Sequence, residues 1–425
     1  MEFQTICVIG MGYIGLPSAA LLASNGNRVI GCDVQPHIVD TINKGCVHLH
    51  EPALELLVHN AVVSGKLSAQ LTVPKADVYV ITVPTPVMQN NEPDISFVKA
   101  AIESIAPQLV KNNLIILEST SPVGTTEKAL QWILQLRDDL DESLFYLAYC
   151  PERVMPGQIL RELVDNDRVV GGVNPESTQQ AIRFYQLFVK GNCIPTTAKT
   201  AEMTKLTENA YRDVNIAFAN ELSMICDHEG INVWELIALA NHHPRVQILQ
   251  PGAGVGGHCI AVDPWFIVAS NPEQSKLIRS AREVNNYKAH YVLETILNKI
   301  NHLENPTIAC LGITFKKNVD DLRESPALAI VNQLCKNIVG SVLVVEPNIK
   351  TLPQSLQHYQ NVMLVDLEQA LTADIVVLLV AHSHFKNEKL LHYDPARLID
   401  VVGLTAIYQL QDKVNHYHET STAIA

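Results

Sequence analysis

A single cysteine lies in an unusually glycine-rich stretch of the sequence. The segment GAGVGGHCIAVDP, residues 252–264, has four glycines before Cys259 and places Asp263 four positions after it. Glycines let the backbone approach a ligand closely, and a thiolate can attack a carbonyl carbon when neighbouring groups lower the thiol pKa. The residues alone leave two interpretations open, a catalytic nucleophile or a structural thiol.

The histidines and the other cysteines do not form a metal-binding pattern. The histidine pairs are His48 with His50, His242 with His243, and His382 with His384, and none has HExxH spacing or a nearby cysteine pair. We expect solvated loop histidines and no bound metal. The nine cysteines contain no CxxC pair, which argues against a disulfide framework and favours the reducing cytoplasm.

The sequence GMGYIG matches the glycine pattern of a dinucleotide-binding turn. It follows a β-branched run and opens a small-residue helix, whose amino-terminal amides can bind phosphate. Gly10 permits a tight turn, Gly12 lets the backbone approach a pyrophosphate, and Gly15 lets the helix pack closely. Asp33 ends the next β-branched run, where a carboxylate binds a ribose diol and repels a 2′-phosphate. The pattern predicts NAD rather than NADP as the cofactor.

Two further loops follow apolar runs. They are VPTP, residues 83–86, and ESTSPVGTT, residues 118–126. In a parallel sheet they would lie at the carboxyl edge, where ligands bind. The same residues are also typical of ordinary turns, so the composition of these loops does not decide between the two interpretations.

The composition indicates a multidomain globular protein. The chain has 425 residues, of which 47% are hydrophobic and 18% are charged. Its formal net charge of -13 repels nucleic acid and anionic lipid surfaces, so we expect neither as a partner. No apolar run reaches the ~20 residues of a membrane span, and the opening residues lack the pattern of a secretory signal.

Strand and helix patterns alternate through most of the chain. Residues 5–35 are predicted to form strand, helix and strand, and further strands are predicted in ADVYVITVP, LIILEST and LFYLAYCPE. This rhythm predicts a parallel doubly wound sheet over roughly the first 190 residues. A second series, TIACLGITF, ESPALAIVNQLC, SVLVVEP and ADIVVLLVA, predicts a smaller α/β lobe.

A long helical segment separates the two lobes. Apolar residues recur every three or four positions from Thr200 to Glu229, and Gly230 ends the pattern. The helix is expected to connect the lobes, and it offers either a dimer surface or a face buried within one domain. The predicted fold class is α/β, with two Rossmann-like doubly wound lobes joined by a helical central domain. The predicted boundaries are 1–195, 196–300 and 301–425.

The second lobe lacks a dinucleotide fingerprint. Its first turn, in LGITFKKNVDDLRES, contains only Gly312. Lys316, Lys317 and Arg323 follow this turn and fit a diphosphate, although they fit a solvated charged loop nearly as well. We expect this lobe to bind something other than NAD.

Four blocks of the sequence, taken in order, resemble the UDP-glucose/GDP-mannose dehydrogenase family. They are GMGYIGLP, then ESTSPVGTT with YCPERVMPG, then AEMTKLTENAYRDVNIAFANE, and finally GAGVGGHCIAVDP with TFKKNVDDLRESPA. The resemblance covers essentially the full length. It implies oxidation of the C6 hydroxymethyl group of a UDP-sugar to the acid, with two NAD consumed in turn, by a homodimer.

The resemblance also implies residue roles. Cys259 would capture the C6 aldehyde as a thiohemiacetal, while Lys205 and Asn209 bind the developing oxyanion. Asp263 and Thr120 would hold the catalytic water or transfer protons, and Glu152 would assist thioester hydrolysis. The implied cofactor contacts are Gly10, Gly12, Tyr13, Ile14, Gly15, Asp33, Thr85, Thr120 and Arg323. The implied substrate contacts are Glu152, Arg153, Val154, Lys205, Asn209, Arg245, Gly252, Gly256, Gly257, His258 and Lys316.

The residues after the cysteine bear on the sugar. In the UDP-glucose branch of the family the cysteine is followed by Phe-Pro-Lys-Asp, whereas here Val262 replaces the lysine before Asp263. The resemblance therefore favours UDP-N-acetyl-D-mannosamine, with a product for bacterial surface polysaccharides such as enterobacterial common antigen. UDP-N-acetylglucosamine, UDP-N-acetylgalactosamine and UDP-glucose are the alternatives. The glycines before Cys259 would let the bulky nucleotide sugar lie against the backbone.

Two other classes of protein share part of this pattern. A β-hydroxyacid-type dehydrogenase also joins an NAD lobe to a helical domain, but it removes one hydride and needs neither the thiol nor a further α/β lobe. An NAD-sensing or scaffold protein would need no catalytic set. Such a non-catalytic protein is disfavoured by the joint presence of Cys259, Lys205, Asn209, Asp263 and Glu152.

Overall fold

The chain forms two compact units in the computed structural model, which describes residues 3–49, 51–88 and 90–408. The first unit comprises Met1–Glu208 and Trp265–Pro272, and the second comprises Asn209–Pro264 and Glu273–Ala425. Each unit is built on its own sheet. Among the described residues, no helix combines the length and the apolar character needed to cross a membrane.

The first unit contains an eight-stranded sheet in the order β3-β2-β1-β4-β5-β6-β7-β8. Its strands are β1 (Thr5–Ile9), β2 (Arg28–Cys32), β3 (Leu67–Gln70), β4 (Val78–Ile81), β5 (Leu114–Leu117), β6 (Tyr146–Tyr149), β7 (Arg168–Gly172) and β8 (Cys193–Thr197). The strands from β3 to β6 are parallel, as predicted. However, β7 runs antiparallel to β6. The prediction of a wholly parallel sheet is wrong there, because alternation of strand and helix patterns does not specify strand direction.

Helices cover both faces of this sheet. They are α1 (Gly15–Ser24), α2 (Pro36–Asn43), α3 (Leu54–Val63), α4 (Ser96–Ile105), α5 (Thr125–Leu136), α6 (Ile159–Asp165) and α7 (Pro175–Tyr185). Successive strand residues point to opposite faces, so Ile6 and Val8 pack in a core with α1, α3 and α7. Cys7 and Ile9 pack in the other core with α4 and α5. The doubly wound architecture is confirmed.

The second unit contains a five-stranded parallel sheet in the order β11-β10-β9-β12-β13. Its strands are β9 (Thr307–Leu311), β10 (Ser341–Val345), β11 (Val362–Leu364), β12 (Ile375–Leu378) and β13 (Leu398–Asp400). The remaining helices are α8 (Ala198–Glu229), α9 (Val233–Ala240), α10 (Asp263–Ser270), α11 (Lys276–Ile300), α12 (Pro326–Asn337), α13 (Leu367–Ala370) and α14 (Glu388–Leu391). The long predicted helix is α8, which begins in the first unit and continues into the second. The five-stranded parallel sheet and its helices confirm the predicted second α/β lobe.

A buried polar cluster joins α8 to α11 within the second unit. Arg282 Nη1 donates to Asp213 Oδ1 at 2.7 Å, and Asn285 Nδ2 donates to the same oxygen at 2.8 Å. Asn220 on α8 donates to Asn285 Oδ1 and accepts from the Gly252 amide. Because Arg282 and Asp213 are almost fully buried, their charges depend on each other, and the cluster also anchors the start of the glycine-rich loop.

Replacing Arg282 by methionine should lower the free energy of unfolding by about 3 to 5 kcal/mol, because Asp213 would be buried without its charged partner. Chemical denaturation measures the difference. The matched control is Lys276→Met, which changes an exposed residue of the same helix and should alter stability by less than about 0.5 kcal/mol. Equal effects of the two substitutions would contradict the structural role of the ion pair.

Candidate active site

The glycine turn after β1 has the close packing that its pattern predicts. Gly10 has φ +90, and a Cβ there would lie 2.8 Å from the Thr82 carbonyl oxygen. A Cβ at Gly15 would lie only 1.8 Å from the Gly10 carbonyl oxygen. At Gly12, by contrast, a Cβ would meet no described atom within 4 Å. The fold itself thus requires glycine at positions 10 and 15, whereas Gly12 leaves open space beside the backbone.

Asp33 is held beside this turn at the end of β2. Its Oδ2 accepts from the Met11 amide at 3.0 Å, and its Oδ1 accepts from the Gln35 amide at 2.9 Å. Asp33 remains half-buried, and Ile14, which follows Tyr13 and is the N-cap residue of α1, makes no side-chain capping hydrogen bond. An acid fixed next to a helix amino terminus without a side-chain cap fits the ribose and the pyrophosphate of a dinucleotide.

The loops that contain Thr85 and Thr120 meet at the carboxyl edge of β4 and β5. Ser119 Oγ donates to the Val83 carbonyl oxygen at 2.7 Å, which ties the two loops together. Thr85 and Thr120 are both half-buried. The structure therefore places both threonines at the sheet edge where parallel sheets bind ligands.

Glu152 follows β6 at the same edge and is held by a buried arginine. Its Oε2 lies 2.8 Å from Arg168 Nη1, and its Oε1 accepts from the Arg153 amide at 2.7 Å. Arg153 Nη1 donates to Glu208 on α8 at 2.8 Å, which links this loop to the helix that contains Lys205. Lys205 and Val154 are half-buried.

In the second unit, Cys259 lies in the turn just before α10. The Asp263 amide donates to the Cys259 carbonyl oxygen at 2.8 Å, and His258 Nδ1 lies 2.9 Å from the Cys259 sulfur. Asn209 Nδ2 donates to Asp263 Oδ2 at 2.5 Å. The structure thus brings together Cys259, Asp263 and Asn209, and Lys205 lies one helical turn before Asn209 on α8. The contact between His258 and the sulfur was not foreseen, although the two residues are adjacent in the sequence.

Two glycines before the cysteine are required by the protein's own packing. A Cβ at Gly256 would lie 2.4 Å from the Glu324 carbonyl oxygen. Gly257 has φ +83, and a Cβ there would lie 2.8 Å from the Phe315 ring. The Gly257 amide also donates to the Arg323 carbonyl oxygen at 3.1 Å. The glycine-rich loop packs against residues 315–326, and it is these protein atoms that would meet a side chain at either position.

The remaining predicted contact residues have different environments. Arg245 and Lys316 are exposed. Arg323 is also exposed, and its Nη2 donates to Asp321 Oδ2 at 2.6 Å. Burial raises the pKa of Asp321, but hydrogen bonds from Arg323 and the charges of Arg323 and His258 outweigh it, so the pKa is lowered overall. The Asp321 partner was not predicted for Arg323.

Among the described residues, no group of three or more His, Cys, Asp and Glu side chains could hold a metal ion. His50 lies outside the described residues. His382 was expected in a solvated loop, and that expectation is wrong: it is fully buried, with Nε2 3.1 Å from Glu346 Oε2 and Nδ1 accepting from the Asn318 amide. The sequence could not show this contact, because Glu346 and His382 follow different strands of the second sheet.

The dinucleotide turn, Asp33 and the carboxyl-edge loops define an NAD-binding dehydrogenase. The chain belongs to the UDP-glucose/GDP-mannose dehydrogenase family. Residues 4–189 match its NAD binding domain, residues 199–287 its central domain and residues 309–406 its UDP binding domain. NAD is thus the cofactor, as predicted.

Relatives match over almost the whole chain. An NDP-N-acetyl-D-galactosaminuronic acid dehydrogenase of Ralstonia nicotianae is 56% identical, covering 91% of this chain and 93% of the relative. A UDP-N-acetyl-D-mannosamine dehydrogenase of Campylobacter jejuni is 55% identical, covering 90% of this chain and 97% of the relative. A solved UDP-N-acetyl-mannosamine dehydrogenase of Staphylococcus aureus superposes with a TM-score of 0.83 at 41% identity, covering 93% of both chains.

Replacing Asp33 by asparagine should lower kcat/KM for NAD about tenfold, because hydrogen bonds to a charged group contribute ~1.5 to 3 kcal/mol. The same change should raise kcat/KM for NADP, since it removes the charge that repels a 2′-phosphate. Initial rates with both cofactors test this. Asp40→Asn alters an exposed carboxylate on α2 and serves as the control. An unchanged ratio of NAD to NADP activity would contradict the role of Asp33.

Proposed function

We propose that the enzyme oxidises the C6 hydroxymethyl group of UDP-N-acetyl-D-mannosamine to the carboxylate, giving UDP-N-acetyl-D-mannosaminuronate. The observation that supports this proposal is a chain of two contacts around Cys259: the Asp263 amide donates to the Cys259 carbonyl oxygen, and Asn209 donates to the Asp263 carboxylate. Four-electron oxidation passes through an aldehyde, and a nucleophilic thiol retains that aldehyde on the protein. The Gly10–Gly15 turn and Asp33 would hold two NAD molecules in turn, and each of them would supply the hydride acceptor for one of the two oxidation steps.

The chain's own residues divide the remaining work. The Cys259 sulfur attacks the C6 aldehyde, and the resulting thiohemiacetal loses the second hydride to become a thioester. Lys205 and Asn209 stabilise the oxyanion with a positive charge and an amide N–H. Asp263 is fixed by its hydrogen bond from Asn209, which leaves its carboxylate poised to accept a proton or orient water. We assign Glu152 and Thr120 to the hydrolysis of the thioester.

The remaining assignments concern the nucleotide sugar and the cofactor. We propose that Arg153, Val154, Arg245, His258 and Lys316 contact the sugar nucleotide, with Gly252, Gly256 and Gly257 shaping the loop beside it. We propose that Tyr13, Ile14, Thr85 and Arg323 complete the cofactor site. The cationic side chains among them suit a diphosphate.

The identity of the sugar is supported by two observations. Val262 stands where the UDP-glucose branch has a lysine. In addition, the relatives from C. jejuni and S. aureus are named for UDP-N-acetylmannosamine. The R. nicotianae relative is named for an N-acetylgalactosaminuronic acid, which makes UDP-N-acetylgalactosamine the second candidate.

We further propose that the product serves bacterial surface polysaccharide synthesis of the enterobacterial common antigen type. A reduced catalytic thiol fits the cytoplasm, where we place the enzyme.

With UDP-N-acetylmannosamine, the wild type should form two NADH for each sugar oxidised. Cys259→Ala should reduce this activity at least ~10³-fold, because a covalent nucleophile is lost. Absorbance of NADH together with chromatography of the sugar nucleotides measures both quantities. Cys46→Ala, which removes an exposed thiol elsewhere, should retain full activity.

The parallel substrates for this experiment are UDP-N-acetylgalactosamine, UDP-N-acetylglucosamine and UDP-glucose. Preference for UDP-N-acetylgalactosamine would select the second candidate. One NADH per sugar, or an active Cys259→Ala variant, would refute the thiol mechanism.

We also propose that the enzyme is a homodimer, with residues 1–195 binding NAD, 196–300 forming the central dimerisation domain and 301–425 binding the UDP-sugar. Tyr211, Phe218 and Ile225 repeat every seven residues on one face of α8 and are 71%, 54% and 53% exposed. Large apolar side chains at this spacing are typical of a helix that packs against another helix.

Phe218→Glu should convert the dimer to a monomer, since it places a charge in the middle of this apolar face. Light scattering at several protein concentrations measures the mass. Val339→Glu, a change at an exposed apolar residue far along the chain, should leave the dimer intact. A monomeric wild type would contradict the proposal.

A further inference from the structure

A buried cluster of charged groups lies behind the candidate catalytic loops of the first unit. Glu118 follows β5 and Glu152 follows β6, while Arg168 begins β7. Arg168 Nη1 lies 2.8 Å from Glu152 Oε2 and 4.0 Å from Glu118 Oε1. Two carboxylates therefore share one guanidinium, and all three side chains are at least nine-tenths buried.

The cluster is enclosed by groups that do not neutralise the second carboxylate. Tyr185 donates to Glu118 Oε1 at 2.5 Å, and its ring lies 4.9 Å from the Arg168 guanidinium carbon. Cys150 is fully buried nearby, and burial raises the pKa of its thiol to about 12, so it remains neutral. Arg168 Nη2 donates to the Leu163 carbonyl oxygen, which fixes the guanidinium.

The charges of this cluster do not balance when both carboxylates are ionised. Two negative charges and one positive charge leave a net negative charge in a buried site, which is costly. Binding of one proton by either carboxylate removes this net negative charge. Burial, partly offset by Arg168, raises the pKa of Glu118 to about 7. The protonated Glu118 then leaves the full charge of Arg168 to Glu152.

We propose that Arg168 is a positioning residue for Glu152, and that Glu118, which competes for the same guanidinium, couples the Glu152-dependent step to its own protonation. The inference rests on the proposed function, in which Glu152 assists hydrolysis of the Cys259 thioester. Glu118 also starts the loop that contains Thr120, so the cluster anchors two loops of the site. Neither Arg168 nor Glu118 needs to touch the substrate.

Glu118→Gln tests the coupling, because the amide cannot ionise and still accepts the Tyr185 hydrogen bond. The ratio of variant to wild-type kcat should be constant below about pH 6. Above about pH 8 the ratio should differ about tenfold from that constant value, which is the effect of a coupling worth one pKa unit. KM for NAD and for UDP-N-acetylmannosamine should stay within about twofold. A merely structural role would give a ratio that does not vary with pH, and that result would overturn the coupling.

The matched control is Asp77→Asn, the same loss of one carboxylate from the same sheet. Asp77 accepts from the Gln4 and Thr5 amides at the amino end of β1, opposite the edge that contains Glu152. Its kcat ratio to the wild type should not vary with pH. A pH-dependent ratio in this control would mean that any lost carboxylate has the effect, and would also overturn the coupling.

Arg168→Lys tests the positioning, because it keeps the charge and removes the planar fork. Rapid mixing should show a burst of two NADH per site, followed by a steady rate reduced about tenfold as the thioester accumulates. A reduced burst with an unchanged steady rate per active site would indicate partial misfolding, and would overturn the role assigned to Arg168.

A substrate-free measurement separates failure of this inference from failure of the proposed function. Burial raises the pKa of the Glu118 carboxyl to about 7 in the folded chain, from its ordinary value of 4.5. Folding therefore takes up a proton between these values, and this contribution to stability is lost as pH rises through 7. Glu118→Gln should remove this dependence of the free energy of unfolding on pH. If it does while no UDP-sugar yields NADH, only the proposed function fails; if the dependence persists, the protonation of Glu118 is refuted.

Discussion

The hydrogen bond from Asn209 to Asp263 is the contact on which the Cys259 site depends. It joins the long helix α8 to the first residue of α10, and the turn that holds Cys259 lies immediately before that residue. A carboxylate at a helix amino terminus is also stabilised by the helix dipole. The buried pair of Asp213 and Arg282, on α8 and α11, holds the same helix one turn further along. The turn that contains Cys259 thus adjoins a helix that two polar contacts hold in place.

The two α/β units place an acid at the same topological position and use it differently. Asp33 follows β2 and accepts from the amide of Met11, and it remains half-buried beside the glycine turn. Glu346 follows β10 and accepts from the amide of Ile313, but its side chain is fully buried, with Oε2 3.1 Å from His382 Nε2. An accessible acid can bind a ribose, whereas a buried one only stabilises its own turn. This difference, together with the missing glycine pattern of the second turn, agrees with the match of one α/β segment to an NAD binding domain and of the other to a UDP binding domain.

Buried charged side chains hold several loops of this protein. Arg168 serves the loops after β5 and β6, and Glu202 on α8 accepts from the amides of Gly124 and Thr126. A buried ion pair adds little net stability compared with apolar packing, but removing one partner is costly. Such contacts therefore restrict the loops to one arrangement. That restriction suits catalytic groups, which must be held in place before the substrate arrives.

The sequence by itself determined the alternation of strands and helices, the NAD turn and the candidacy of Cys259. These depend on local rules, namely the periodicity of apolar residues, the φ > 0 of Gly10 and the acid at the end of β2. Only the tertiary structure decided the antiparallel direction of β7, the burial of His382 and the sharing of Arg168 by two glutamates. It also decided that Gly256 faces protein atoms. Each of these depends on residues distant in the chain, and strand pairing and close packing bring them together only in the folded protein.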